Sequence, residues 1–422
     1  MNYKKIKEKN YTIHLIKYDR FKTINIDVYF TSLFNHKDIP YTNLLVKMLT
    51  FSTKKYNTKN KIAIQSENLY SAQITSKNMV LGNIQSTLIN LEFINPSFTE
   101  DNMYEESFDF LKEVLFNPNV KDEKFDEESF NLNKLNIMRE VNSISEKPNL
   151  IAYNNFSKEM YKGSSGSYSL FGKLEDYKDI TSKDLYKYYK KFINNSKIDI
   201  VIMGDIDEEK VIKLTKKIFN KLNPNYEEIK DIYVKTKLNE KTLILKDKYN
   251  FNQSILIMGY KFKELTEYEL KYVLSIFNII LGTMNNSVLF TKVREECSYC
   301  YSISSFVSKY NPSLVITSGI NRKNYDKVVS KIKECIKLMK DEKFISSMFK
   351  TAIKTADIYL NDYYDNIYSI MEHYFINEFD SEEEVEKRRE EYNRMTPKDI
   401  CDLAKKINLD TIYFMEGINE NN

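Results

Sequence analysis

The chain has 422 residues, of which 42% are hydrophobic and 14% aromatic, and its 63 basic and 60 acidic side chains leave a formal charge of +3. Charge this well balanced gives no general attraction to nucleic acid or to an acidic membrane, and the apolar content excludes wholesale disorder. The length exceeds what one ordinary core organises, so at least two domains are expected.

The first nine residues are basic, but no apolar stretch follows them, which argues against a secretory leader and for a soluble cytoplasmic protein. Residues 24–30 alternate apolar and polar as a half-buried strand does. Residues 41–50 read as a helix with Leu44, Leu45, Met48 and Leu49 on its apolar face. A strand at 88–93 and a helix at 105–115 follow. Gly163-Ser164-Ser165-Gly166-Ser167 reads as a small flexible loop. Thr181 stands where it would cap a helix, with Asp184 at the third helical position, and a strand over 200–204 ends at Gly204. Residues 223–239 form a polar connector containing Pro224. A second strand–helix pair follows at 254–260 and 268–281. The strongly apolar run at 273–281, interrupted by Ser275 and Asn278, is far short of the roughly 20 residues that span a membrane. Residues 314–317 and 325–339 give another strand and helix, Thr396 and Pro397 open a last helix, and 412–417 form a last strand.

The later elements repeat the earlier ones. Ile180-Thr181-Ser182-Lys183-Asp184-Leu185 resembles Met395-Thr396-Pro397-Lys398-Asp399-Ile400 at an offset of about 215 residues, and the strands ending at Gly204 and Gly417 recur at nearly the same offset. The expected fold is therefore α+β, with two tandem homologous domains at 1–222 and 240–422 joined by 223–239. Each would be a mainly antiparallel sheet with helices packed on one face.

Chemistry is sparse. Only His14, His36 and His373 exist, all read as structural, so no H-x-x-E-H or H-E-x-x-H can be written. With nine glycines, no phosphate-cradling motif occurs, and no G-x-S-x-G is present. Cys297 and Cys300 have C-x-x-C spacing with no second pair to complete a zinc knuckle, and buried or incidental thiols are the plainer reading. The informative stretch is Leu289-Phe290-Thr291-Lys292-Val293-Arg294-Glu295-Glu296-Cys297-Ser298-Tyr299-Cys300-Tyr301-Ser302. Arg294 offers a fixed charge and a planar fork of donors, and Tyr301 a phenolic hydroxyl, a pair suited to holding polarised carbonyls.

That stretch resembles the L-F-x-x-[VL]-R-E-x-x-G-L-A-Y-S segment of the insulinase-like metallopeptidases, which include pitrilysin and mitochondrial processing peptidase. Residues 168–172, 180–189 and 202–205 resemble further motifs of that family in the same order, so the likeness spans nearly the whole chain. The resemblance implies a metallopeptidase-like αβ roll in each domain. It also locates what is missing. Where the family carries its zinc signature, Asn43 and Lys47 stand at the two histidine positions and Val46 at the general base, while Glu140 matches the third ligand. Arg294 and Tyr301 match the family's Arg and Tyr, with Ser298, Tyr299 and Cys300 departing from the family's Gly, Leu and Ala. The chain is especially similar to the zinc-free member of a bacterial two-subunit pair, whose L-Y-G-A motif Leu69-Tyr70-Ser71-Ala72 resembles. The resemblance implies a pseudoenzyme: a peptide-binding subunit, not catalytic alone and without a cofactor of its own. Arg294 and Tyr301 would serve a peptide or unfolded polypeptide in a chamber shared with a homologous subunit that carries H-x-x-E-H and the zinc. A non-enzymatic scaffold is the alternative, and a stand-alone zinc peptidase using Cys297, Cys300 and Glu140 a remoter one.

Overall fold

In the computed structural model, which describes residues 1–99, 102–235, 237–381 and 384–419, the chain forms two compact units. Unit 1 contains residues 1–143, 169–232 and 366–381, and unit 2 contains 144–168, 233–365 and the described part of 382–422. The main sheet of unit 1 has strands β1 (Asn2–Lys7), β2 (Thr12–Lys17), β3 (Thr23–Leu33), β4 (Gln73–Leu81), β5 (Ile84–Ile94) and β6 (Lys197–Gly204), in the order β1-β2-β6-β3-β5-β4. The sheet of unit 2 has β7 (Leu243–Tyr249), β8 (Ser254–Phe262), β9 (Cys300–Ser308), β10 (Ser313–Ile320) and β11 (Ile407–Gly417), in the order β9-β10-β8-β11-β7. Read from its other edge, the second sheet reproduces β2-β6-β3-β5-β4 strand for strand, and in both the pairing of the first two is parallel while the rest is antiparallel. The internal duplication is thus a duplication of topology.

Alternation along β3 explains the layers. Ile24, Ile26, Val28 and Phe30 enter the main apolar core, while Asn25, Asp27, Tyr29 and Thr31 point to the opposite face, and both sets are buried. The core side is covered by helices that include α1 (Ile39–Phe51), α2 (Glu127–Asn142) and, after α3 (Pro148–Met160), α4 (Ser182–Asn195). Thr181 caps α4 as its sequence implies: its hydroxyl accepts from Asp184 N–H at 3.1 Å, and Asp184 accepts from Thr181 N–H at 3.3 Å. The matching Asp399 accepts from Thr396 N–H at 2.7 Å.

The main helical layer lies on one face, and the opposite face carries a further helix. In unit 1 this is α5 (Ile367–Ile376), whose Phe375 stacks on Tyr29 with centroids 3.7 Å apart and planes 5° from parallel. In unit 2 it is α3, whose Ala152, Phe156 and Met160 pack on Ile255, Ile257, Val315, Tyr413 and Met415. A Cβ on Gly259 would collide with Met160 and Phe156, so that residue is small because the helix lies against it. Each unit thus includes a helix from the other half of the sequence, and the compact units differ from the contiguous segments 1–222 and 240–422. The described residues of 223–239 have no regular structure, although Ile232 and Val234 are buried.

The rear face of unit 1 buries a carboxyl group. Asp27 Oδ1 accepts from Asn90 Nδ2 at 2.7 Å and Oδ2 from the Tyr29 hydroxyl at 3.1 Å. Burial outweighs both bonds and pushes its pKa up to about 7. A carboxyl whose folded pKa is raised binds its proton more tightly in the folded state. Its contribution to stability is complete below the ordinary carboxylate range and is lost as pH rises toward and through about 7. Asp27→Asn, which keeps the shape and removes the charge, is expected to stabilise the protein by about 2–3 kcal/mol more at pH 8 than at pH 5. Denaturation at the two pH values checks this, and an equal effect at both would contradict it.

Candidate functional site

Helix α1 puts Leu44, Leu45, Met48 and Leu49 into the core, which leaves Asn43, Val46, Lys47 and Thr50 on the neighbouring stripe at i, i+3, i+4 and i+7. That stripe lines a cavity of about 480 Å³ together with Glu140 of α2, Thr75 of the edge strand β4 and Tyr177. Asn43, Val46, Lys47 and Glu140, distant in sequence, therefore share one cleft. Lys47 Nζ donates to Glu140 Oε1 at 2.9 Å. Both side chains are about half exposed, 44% and 55%, so the pair is worth only about 0–1 kcal/mol. Val46 is buried and has no group that can exchange a proton.

Asn43 is fully committed elsewhere. Its Nδ2 donates to Leu170 O and to the Tyr177 hydroxyl, both at 2.9 Å, and its Oδ1 accepts from Asn78 Nδ2 at 2.8 Å. The Tyr177 hydroxyl donates onward to Phe171 O at 2.7 Å, and burial pushes its pKa up to about 12, so it remains a donor. Gly172 closes this loop with φ +68°, a conformation that favours glycine. The residue at the first expected ligand position thus ties loop 168–172 to α1 and β4. Sequence spacing placed Asn43 on the helix but carried no sign of this network, whose members are far apart along the chain.

The second candidate segment is in unit 2. Arg294 lies in a wide helical turn, Phe290–Glu295, where Glu296 N–H bonds to Thr291 O, five residues back. The wide turn closes on Ser298 at φ +53°, with Ser298 N–H bonded to Arg294 O and Tyr299 N–H to Val293 O. The serine that departs from the family's glycine therefore occupies a left-handed position. Arg294 is exposed, stacks over the Phe290 ring at 5.0 Å and has no carboxylate partner among the described residues. Tyr301 is the extra residue of a β-bulge between Cys300 and Ser302, near the start of β9, and is 57% exposed. β9 is an edge strand. The structure records no direct contact between Arg294 and Tyr301; both flank the entry to that edge.

All four cysteines are free, and burial raises the Cys300 thiol above its ordinary range. Among the described residues, no cluster of metal-ligating side chains includes Cys297, Cys300 or Glu140. A different cluster, His14 with Asp199 and Glu378, does come together behind the sheet of unit 1. Read from the sequence, His14 was a lone strand residue, and the two carboxylates had no signal linking them to it.

Residues 179–355 match the family model described as the Peptidase M16 inactive domain. The chain is 24% identical to the "Probable inactive metalloprotease YmfF" of Bacillus subtilis over 427 residues, covering 99% of this chain and 98% of that one. A conserved protein from Enterococcus faecalis V583 superposes with a TM-score of 0.90 at 24% identity over 100% of both chains. The peptidase M16 inactive domain from Pseudomonas fluorescens superposes at 0.79 with 14% identity, again over 100% of both chains. No helix among the described residues is long and apolar enough to cross a membrane.

Two outcomes follow from this geometry. Asn43→Ala is expected to cost about 1–3 kcal/mol, because it strands the Asn78 and Tyr177 groups, and to raise amide exchange across 168–172. Unchanged stability and exchange would show that the network holds nothing. Ser298→Gly is expected to be stabilising by up to about 1 kcal/mol, by relieving the left-handed strain, as measured by chemical denaturation.

Proposed function

We propose that this chain, similar over its whole length to an inactive homologue of the insulinase-like (M16) metallopeptidases, is the peptide-binding, non-catalytic subunit of a two-chain zinc peptidase. The observation that carries the reading is the state of Arg294. A guanidinium is readily spent on a carboxylate, yet this one is exposed without such a partner among the described residues, and Tyr301 is likewise exposed near the start of the edge strand β9. An extended peptide adding to that edge would satisfy backbone groups with little demand on sequence, and Arg294 and Tyr301 would hold its carbonyl groups.

The α1 cleft supports the same division of labour. Asn43 is engaged with its neighbours, Val46 has no base to offer, and Lys47 places a positive charge where a cation would otherwise sit. The zinc, Lewis acid and source of activated water, would belong to a homologous partner carrying H-x-x-E-H. This chain's contribution would be binding and orientation of a peptide or unfolded polypeptide.

Reconstitution tests this. The chain alone is expected to cleave no peptide, and a mixture with its H-x-x-E-H partner to be active. Arg294→Ala should lower kcat/KM of the mixture about 10- to 100-fold, the loss of a charge-assisted hydrogen bond, with Tyr301→Phe milder. Full activity of the Arg294→Ala mixture would leave the scaffold reading in its place.

A further inference from the structure

Behind the sheet of unit 1, three segments remote in sequence converge: β2 brings His14, β6 brings Asp199, and the turn after α5 brings Glu378. His14 and Asp199 are fully buried, and Glu378 is 9% exposed. The His14 ring is oriented from behind, since the Tyr3 hydroxyl lies 2.8 Å from its Nδ1. Its other nitrogen, Nε2, is buried and has no hydrogen-bond partner among the described residues. An orphaned buried ring nitrogen costs about 1–3 kcal/mol, so its orientation calls for an explanation.

Nε2 points between two carboxylates, 3.8 Å from Asp199 Oδ1 and 3.7 Å from Glu378 Oε1. Those separations are too long for hydrogen bonds. They are a few tenths of an ångström wider than the roughly 3.4 Å between two ligands held at about 2.1 Å on one tetrahedral ion, so small side-chain shifts would close them on it. One imidazole nitrogen and two carboxylate oxygens, with a hydroxyl fixing the far side of the ring, form a donor set typical of first-row divalent metals. We propose that His14, Asp199 and Glu378 form a structural site for a divalent ion such as Zn2+ or Mn2+, pinning α5 and its following turn to the rear of the sheet. The site is separate from the α1 cleft and independent of any role of Arg294.

Two lysines balance the carboxylates when no ion is bound. Lys197 Nζ contacts both Asp199 oxygens, Oδ2 at 2.6 Å and also the Oδ1 that faces His14, and lies 3.3 Å from Glu378 Oε2, while Lys5 pairs with Glu378 Oε1, so each carboxylate oxygen facing His14 carries an ammonium that an ion would have to displace. Replacing two ammonium groups by one dication leaves the charge of the cluster unchanged. Lys5 is 44% exposed and withdraws into water readily. Lys197 is only 16% exposed and stands 5.0 Å over the Phe379 ring, so it is the stronger competitor for the site. The site therefore makes an unusual demand: removing a lysine should improve it.

The test uses the full-length, chelator-treated, tag-free chain, titrated calorimetrically with ZnCl2 and separately with MnCl2. One equivalent of at least one ion is expected to bind, with a rise in Tm. His14→Gln should weaken binding at least 100-fold, Lys197→Met should tighten it at least 10-fold, and Cys297→Ser should leave it unchanged. Absence of binding in both the wild type and Lys197→Met at 1 mM ion would overturn the proposal. Binding that survives His14→Gln, or that is lost in Cys297→Ser and so belongs to the thiols, would do the same. If His14→Gln fails to fold, Lys197→Met decides: affinity that does not increase refutes the site.

Discussion

Burial of β3 on both faces is the constraint on which unit 1 depends. A strand with one wet face could leave Asn25, Asp27, Tyr29 and Thr31 to water, but this one cannot. Each must find its hydrogen bonds inside the protein. Asn90 reaches Asn25 and Asp27, Ser86 meets Thr31, and Tyr29 meets Asp27 while lying flat under Phe375. The polar layer therefore needs α5 as its roof, and α5 comes from residues that lie well beyond the rest of the unit. The apolar side of the same strand anchors α1, and the same sheet ends in β4, so the walls of the cleft hang on a strand whose two faces obey opposite chemical rules.

Within that frame the cleft gathers Asn43, Val46, Lys47 and Glu140. An ion between α1 and α2 would need donors aimed at a common point. Here one donor position is occupied by an amide whose hydrogen bonds all go to its neighbours, and the other by an ammonium that already satisfies Glu140. The bond between Lys47 and Glu140 is weak in energy because both groups are wet, so its effect is on charge more than on stability. Positive charge is built into the cleft as a side chain, where it can attract an acceptor but cannot activate water as a metal does.

Unit 2 inverts the situation. Among the described residues its Arg294 has no carboxylate partner, and its Tyr301 is exposed. Arg294 rides on a widened turn that ends in a left-handed serine, and Tyr301 is pushed out of the ladder by a bulge. Wide turns and bulges both re-aim side chains at small cost in regular pairing, and they place these two at the rim of an open strand edge rather than in the core. The conformational strain at Ser298 is local, and the rest of the loop is closed by backbone hydrogen bonds.

Much of this was legible in the order of residues. Alternation along residues 24–30, the Thr-x-x-Asp caps at 181 and 396, and the recurrence of helix-to-strand segments specified the α+β class and the duplicated topology, because such signals depend on neighbours a few residues apart. Asn43, Val46 and Lys47 were singled out by the family resemblance, and the helix that carries them by its apolar spacing. The exchange of covering helices, α5 onto the sheet of unit 1 and α3 onto that of unit 2, was not legible, since an amphipathic stripe says that a face is buried but not against which sheet. Nor could spacing show that Asn43 bonds to Leu170 and Asn78, or that His14, Asp199 and Glu378 meet. The sequence by itself determined the elements and the types of residue available for chemistry. Only the tertiary structure decided which of them touch, because a contact between distant residues is set by packing and the satisfaction of buried polar groups, not by local propensity.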